Sequence, residues 1–358
     1  MATISLCMIV RDEEPVLARC LQSVRDAVDE IILVDTGSVD RTVEVAMQFT
    51  DKVHTFPWVD DFAAARNFAF SKASMDYQMW LDADDVIAPE DCRALLALKQ
   101  DLTADVVMLP YHVSFDASGR PTFSYERERL FRRACGFTWE GAVHETITPR
   151  GVILHASPAV CHKKEHVNDP NRNLRILERL RTGRSLTPRE QFYYARELFY
   201  HDRCEEALTA FREFLQAPDG WYEDRISACL TAARCCRKLG RTGTAQAFLC
   251  SSFIYALPRA EILCELGSLL LEQGRVREAV YWYEQALAVP LSPLAPGFQE
   301  PDCHDYIPLM QLCVCYDRLG NLEKACAYNE RAGRIKPEDV NVLANRRYFR
   351  DQLRSSTG

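Results

Sequence analysis

Up to about residue 165 the chain alternates short apolar runs with segments of helical period. Ile4–Val10 is an apolar run ending in charge, the pattern of a buried parallel strand, and Pro15–Ala27 repeats its apolar residues at helical spacing. Glu30–Val34 reads as a second buried strand, closed by Asp35-Thr36-Gly37-Ser38. Asp40–Phe49 then reads as a helix, Lys52–Phe56 as a strand, Phe62–Lys72 as a helix and Tyr77–Leu81 as the fourth strand. A helix from Pro89 and a strand over Asp105–Leu109 follow. Such alternation with short connections predicts an α/β domain, a mostly parallel sheet covered by helices. Ligands of such sheets bind beyond the carboxyl ends of the strands. The acidic clusters fall at those ends: Arg11-Asp12-Glu13 after the first strand, Asp35 after the second, Asp82-Ala83-Asp84-Asp85 after the fourth.

After about residue 188 the strand pattern stops and a repeat begins. Ala233, Cys236, Gly240 and Ala245 recur 34 residues later as Gly267, Leu270, Gly274 and Ala279, followed by Tyr283, Ala286 and Pro290. Cys313, Tyr316, Gly320, Ala325, Ala332 and Pro337 repeat the set, and Ala195, Leu198, Ala207 and Phe211 form a weaker first unit. This spacing resembles the tetratricopeptide repeat, in which small residues let two helices pack closely around a turn. Pro290–Pro301 reads as an insertion before the last unit. The expected organisation is a sheet domain over 1–165, a helical linker over 166–188 and all-α repeats over 189–352.

Composition fits this division. The 358 residues are too many for one ordinary domain, and 47% hydrophobic with 26% charged residues supplies ample core. A net charge of −8 argues against nucleic acid as a partner, since phosphate binding needs a dense basic face. The fifteen cysteines contain no C-x-x-C pair, and Cys229, Cys235, Cys236, Cys313 and Cys315 sit inside helical apolar patterns as small hydrophobes. The segment Met1–Leu6 lacks a basic leader and runs into a strand, and no apolar run is long enough to span a bilayer. A reduced, cytoplasmic chain is expected.

Candidate chemistry centres on Asp82-Ala83-Asp84-Asp85. Carboxylates at a strand end can hold a hard divalent cation, which bridges two phosphates and stabilises a departing nucleoside diphosphate. An EF-hand is excluded, because positions six and twelve of that loop would be Ile87 and Arg93. A solvated acidic turn capping the helix from Pro89 accounts for the same residues, so the run alone leaves both readings open.

Its neighbours extend the pattern. Ile9-Val10-Arg11-Asp12-Glu13-Glu14, Val34-Asp35-Thr36-Gly37-Ser38-Val39-Asp40-Arg41-Thr42, Ala65-Arg66-Asn67 and Trp80-Leu81-Asp82-Ala83-Asp84-Asp85 follow one another in that order. Residues 3–165 thereby resemble family 2 glycosyltransferases of the Rossmann-like GT-A fold. With the repeats, the chain is similar to bacterial enzymes that place sugar on peptide cysteines of glycosylated bacteriocins. The resemblance implies a nucleotide-sugar donor, UDP-linked, with Val10, Arg11, Asp12, Glu13 and Asp35 lining the base and ribose pocket. It implies that Arg66 reaches the diphosphate, that Asp82 and Ala83 meet the donor, and that Asp84 holds manganese or magnesium with Asp85 in support. Asp35 also suits a turn, and Arg66 a surface ion pair.

Arg129-Leu130-Phe131-Arg132-Arg133 precedes Trp139-Glu140-Gly141-Ala142-Val143-His144-Glu145, which resembles the family segment ending in the catalytic acid. An inverting transferase needs a base on the acceptor side of the sugar. Glu145 takes that role, with His144 as the alternative, though Glu145 also suits a helix-start carboxylate; Trp139 is either a flat wall for the acceptor or a buried aromatic. The GT-A fold often adds a late histidine to the metal site. His162, ending the apolar Ala159-Val160-Cys161, is favoured over His155. Cys161, His162 and His166 lack the second ligand pair of a zinc finger. The reading is inverting glycosyl transfer to a peptide or protein side chain held by the repeats. Transfer to a glycan or lipid-linked acceptor, with the repeats making a homodimer, and a non-catalytic scaffold are the alternatives.

Overall fold

The computed structural model describes residues 1–115, 119, 121–163, 169–291 and 299–356. His166 and residues 292–298 of the proline-rich insertion lie outside the described residues. The chain divides into two compact units, Met1–Ser185 and Leu186–Gly358.

In the first unit β1 (Ile4–Val10), β2 (Glu30–Asp35), β3 (Val53–Thr55) and β4 (Tyr77–Trp80) lie parallel in the order β3-β2-β1-β4. Helices α1 (Leu17–Val24), α2 (Thr42–Ala46) and α3 (Phe62–Ser71) connect them. Side chains alternate across this sheet. Leu6, Met8, Leu33 and Met79 pack in one cluster, and Cys7, Ile32, Val34 and Trp80 in another. Both faces are buried, which is why the strands read as unbroken apolar runs. Each fully buried leucine or isoleucine contributes about 1.5–3 kcal/mol.

The rest of the sheet departs from the sequence expectation. After β5 (Asp85–Val86) and α4 (Pro89–Leu98), the chain forms a long antiparallel pair, β6 (Val106–Phe115) and β7 (Pro121–Arg132). Strand β7 inserts antiparallel between β4 and β6. Then β8 (Ile153–His155) and β9 (Val160–His162) pair parallel with β6, and β5 pairs antiparallel with β9. The sheet is therefore mixed rather than mostly parallel. Tyr125-Glu126-Arg127-Glu128-Arg129 hides β7 among charges, although Arg129 is fully buried and stacks 3.9 Å from the Trp80 ring centroid. Helix α5 (Arg172–Gly183), expected within a separate linker, belongs to this first unit.

The second unit is helical: α6 (Pro188–Tyr200), α7 (Cys204–Gln216), α8 (Tyr222–Lys238), α9 (Thr242–Ser251), α10 (Ala260–Glu272), α11 (Val276–Ala288), α12 (Tyr306–Arg318), α13 (Leu322–Ile335) and α14 (Val340–Ser356). Thr187 and Glu190 start it with a reciprocal capping box. Successive helices pack as pairs, α6 with α7 through α12 with α13. Gly240, Gly274 and Gly320 end the first helix of three pairs at φ near +70° (71°, 74° and 75°), the left-handed closure that favours glycine. Asp202 adopts φ 57° at the matching place in the first pair, which explains why that repeat is the hardest to recognise. Among the described residues, no helix is long and apolar enough to cross a membrane.

Candidate functional site

The loops after β1 and β2 are laced together by their own polar residues. Asp35 accepts hydrogen bonds from the amides of Gly37 at 3.2 Å and Ser38 at 3.1 Å, the turn role its sequence also suits. Asp12, in a left-handed conformation at φ 54°, donates its amide to Ser38 Oγ at 3.0 Å and accepts from the Val39 amide at 2.7 Å. The Glu13 amide donates to Thr42 Oγ1 at 2.7 Å. Burial, then the nearby charges of Asp84 and Asp82, raise the Glu13 carboxyl to about 7. Arg11 is exposed, 3.8 Å from Asp12. The side chains of Val10 and Ala83 lie in the core, so only their backbones can meet a donor.

The acid run folds back on itself at the end of β4. The Asp82 amide donates to Asp85 Oδ2 at 3.1 Å, and the Asp85 amide to the Asp82 carbonyl at 3.0 Å. Asp85 opens β5 and pairs in register with His162 of β9. That register brings His162 Nδ1 to 3.3 Å from Asp84 Oδ1 and 3.4 Å from Asp85 Oδ1. The three ligand atoms lie within 4.8 Å of one another. Asp85 is fully buried, held by Arg129 Nη1 at 3.1 Å and by the Tyr111 hydroxyl at 2.9 Å. Burial opposes a charged His162, but Asp84 and Asp85 outweigh it and hold the imidazole up at about 10. Two carboxylate oxygens with one imidazole nitrogen form a hard-to-borderline donor set that fits manganese or magnesium. His155 instead faces Glu126 at 2.7 Å, away from this group.

A second charged group forms on α3. Asp61 caps that helix by accepting from the Ala64 amide at 2.9 Å. One turn on, Arg66 donates from Nε to Glu145 at 2.6 Å and from Nη2 to Asp82 at 2.7 Å. Desolvation opposes the Asp82 charge, yet Arg66, then Arg129, hold its carboxyl below the usual range. Three further bonds tie the segment carrying Glu145 to α3. The Asn67 side chain and the Trp139 backbone exchange two, at 2.9 and 2.8 Å, and the Phe62 amide donates to the Ala142 carbonyl at 2.9 Å. His144, at φ 54°, precedes Glu145 in this segment.

Two of the candidate residues are buried. Trp139 is 3% exposed and packs edge-on to Phe70 and Trp80, so it offers no wall to an acceptor. Its ring instead supports the Arg66 guanidinium at 5.0 Å. Arg66 is no surface ion pair either: it is buried, and its remaining nitrogen Nη1 has no partner among the described residues and no access to solvent. Asn67, Tyr111 and the role of Arg129 escape sequence reasoning, because each acts through contacts between residues far apart in the chain.

The model of the glycosyl transferase family 2 matches residues 5–156, the span that contains both charged groups except His162. The chain carries a family 2 glycosyltransferase domain. A tetratricopeptide repeat model matches residues 260–290, helices α10 and α11. A TPR repeat-containing protein of Synechococcus elongatus is 40% identical over 148 residues, covering 41% of this chain and 36% of that protein. The SPbeta prophage-derived glycosyltransferase SunS of Bacillus subtilis is 27% identical over 223 residues, covering 58% of this chain and 51% of SunS. The chain thus spans about a third to a half of the length of these curated relatives. Among solved structures, YrrB, a TPR protein with an unusual peptide-binding site, aligns with 50% of this chain and 84% of its own at 17% identity and a TM-score of 0.39. The two family models match the expected order of a family 2 domain followed by tetratricopeptide-like helices.

Proposed function

We propose that this chain is a cytoplasmic, metal-dependent inverting glycosyltransferase. It moves a sugar from a nucleotide diphosphate, UDP-linked, to a peptide or protein side chain. The observation that carries this reading is the meeting of two groups at the end of β4. Asp84, Asp85 and His162 form a cation site within 4.8 Å, and Asp82, shared with Arg66, links it to Glu145.

Asp84 and His162 would hold the cation, with Asp85 steadied behind them by Arg129 and Tyr111. A bound dication offsets charge on the departing diphosphate. Asp35 accepts from a base N–H through lone pairs that the turn leaves over. Asp82 accepts from a ribose hydroxyl with the oxygen that Arg66 does not use. Glu145, oriented by Arg66 through Oε1, takes the proton from the acceptor nucleophile as it attacks the anomeric carbon. His144 is the other base within the same segment. The repeats, resembling those that bind extended peptides in other proteins, supply the acceptor platform.

The test is donor hydrolysis across a panel of nucleotide sugars, with and without manganese, followed by mass spectrometry of peptides encoded beside the gene. Manganese-stimulated hydrolysis of one UDP-sugar and a peptide gaining one hexose mass support the proposal. No nucleotide binding, or full activity in excess chelator, refutes it.

A further inference from the structure

A nucleoside diphosphate carries more negative charge than one dication cancels, and proteins usually complement the remainder with a guanidinium or ammonium group. The arginines around the site are mostly committed elsewhere. Arg66 is spent on Asp82 and Glu145, with Nη1 closed off. Arg129 is fully buried against Asp85 and Trp80. Arg127 pairs with Glu128 at 3.3 Å and lies over Trp80 at 5.0 Å.

Arg172 differs. It opens α5, its side chain is exposed, and no ion pair engages it among the described residues. Its one side-chain hydrogen bond, from Nε to Asn173 Oδ1, is 3.5 Å long, at the limit of such a bond. The guanidinium rests over the ring of Phe62 at 4.6 Å. Phe62 and Arg66 are four residues apart on α3 and share a face. Arg172 therefore sits one helical turn along that face from the arginine joining Asp82 to Glu145. Partial burial holds its guanidinium below the usual range against the opposing pull of Asp169, Glu145, Glu13 and Asp82, and the last three of these carboxylates belong to the site.

We propose that Arg172 binds the donor's diphosphate, and that Arg66 is a positioning residue for Glu145 and Asp82. The inference rests on the nucleotide-sugar reading above, and it assigns a contact to a residue beyond the family match, which ends at residue 156. A planar guanidinium anchored on an aromatic ring presents its free edge to two phosphate oxygens and needs little ordering to do so.

Calorimetric titration of the full chain with UDP and with uridine, in manganese, tests it. Wild-type protein should bind UDP more tightly than uridine. Arg172→Ala should weaken UDP by about tenfold to a hundredfold while leaving uridine affinity and melting temperature unchanged. Arg172→Lys, which keeps the charge but not the fork, should fall between. Unchanged UDP affinity in Arg172→Ala overturns the assignment, and so does an equal loss for uridine, which carries no phosphate. Wild-type protein that binds neither probe overturns the reading beneath it as well.

Discussion

Charged residues are paired in both units, but in different patterns. In the sheet unit Arg66, Asp82, Glu145, Arg129, Asp85 and His162 converge on the end of one strand. In the helical unit a set of pairs runs from one repeat to the next. Arg234 meets Glu265 at 2.7 Å, Arg241 meets Glu205 at 2.5 Å, and Arg237 and Arg259 reach Glu265 and Glu223. The partners in these four pairs lie 28 to 36 residues apart, close to one repeat length. A ladder of this kind fixes the register between neighbours and spreads its cost along the chain. Convergence crowds like charges together, which costs stability and is retained where chemistry uses it.

The sharpest test of that contrast removes one member from the convergent group. Asp84→Ala should lower donor hydrolysis and transfer by about two orders of magnitude or more, with little change in melting temperature. Glu145→Gln keeps the shape that Arg66 grips but takes no proton. Turnover should fall roughly a hundredfold while UDP binding survives. A collapse of UDP affinity instead would move Glu145 to the donor side, and loss of turnover only in His144→Ala would exchange the two roles.

The helical unit should answer to packing rather than to charge. A Cβ on Gly267 would lie 2.8 Å from the ring of Tyr283, which is 1% exposed. Gly267→Val should destabilise this unit by about 1–3 kcal/mol or more, read by thermal unfolding, without altering UDP binding. Normal unfolding would mean that helices α10 and α11 can separate freely.

The smallest effects set one buried acid in each unit against the other. Burial disfavours the charge on Glu30, but Lys52, Ser5 and Ser74 outweigh it and pull its carboxyl from 4.5 down to about 2. Glu30 therefore stabilises the fold above pH 4.5, and this contribution drains away as pH falls toward 2. Asp224 moves the other way: burial lifts it from 3.8 to about 6, against the weaker pull of Arg189 and Arg196. Its charge costs stability above pH 6, and that cost disappears as pH falls toward 3.8. Melting curves should show Glu30→Gln destabilised at neutral pH, and Asp224→Asn stabilised there but not below pH 3.8. The same sign for both would break the comparison.

The first four strands and the acid run were legible because apolar runs and strand-end carboxylates lie close together in sequence. Strand β7 was not, since a fully buried Arg129 packed between Trp80 and Tyr111 rings looks, in sequence, like one more charge. The Arg66–Glu145 pair spans 79 residues, and the bonds from Asn67 to Trp139 and from Phe62 to Ala142 help to fix it. Which of the two readings of Trp139 holds was not legible for a related reason: a site's neighbour in sequence need not face its ligand. In the repeats, glycine marked three of the turns, while Asp202 took the same backbone shape without announcing it.

On the proposed reading, the pairing of Asp85 with His162 across β5 and β9 would leave ion preference to one side chain at the end of a three-residue strand. Aspartate at 162 would make the donor set all oxygen, a cage for magnesium or calcium, and cysteine would turn it toward zinc. Neither swap asks any other element to move, because hydrogen bonds between the strands hold the position whatever residue fills it. A lineage built on this scaffold can therefore track whichever ion its surroundings supply by drifting at a single codon.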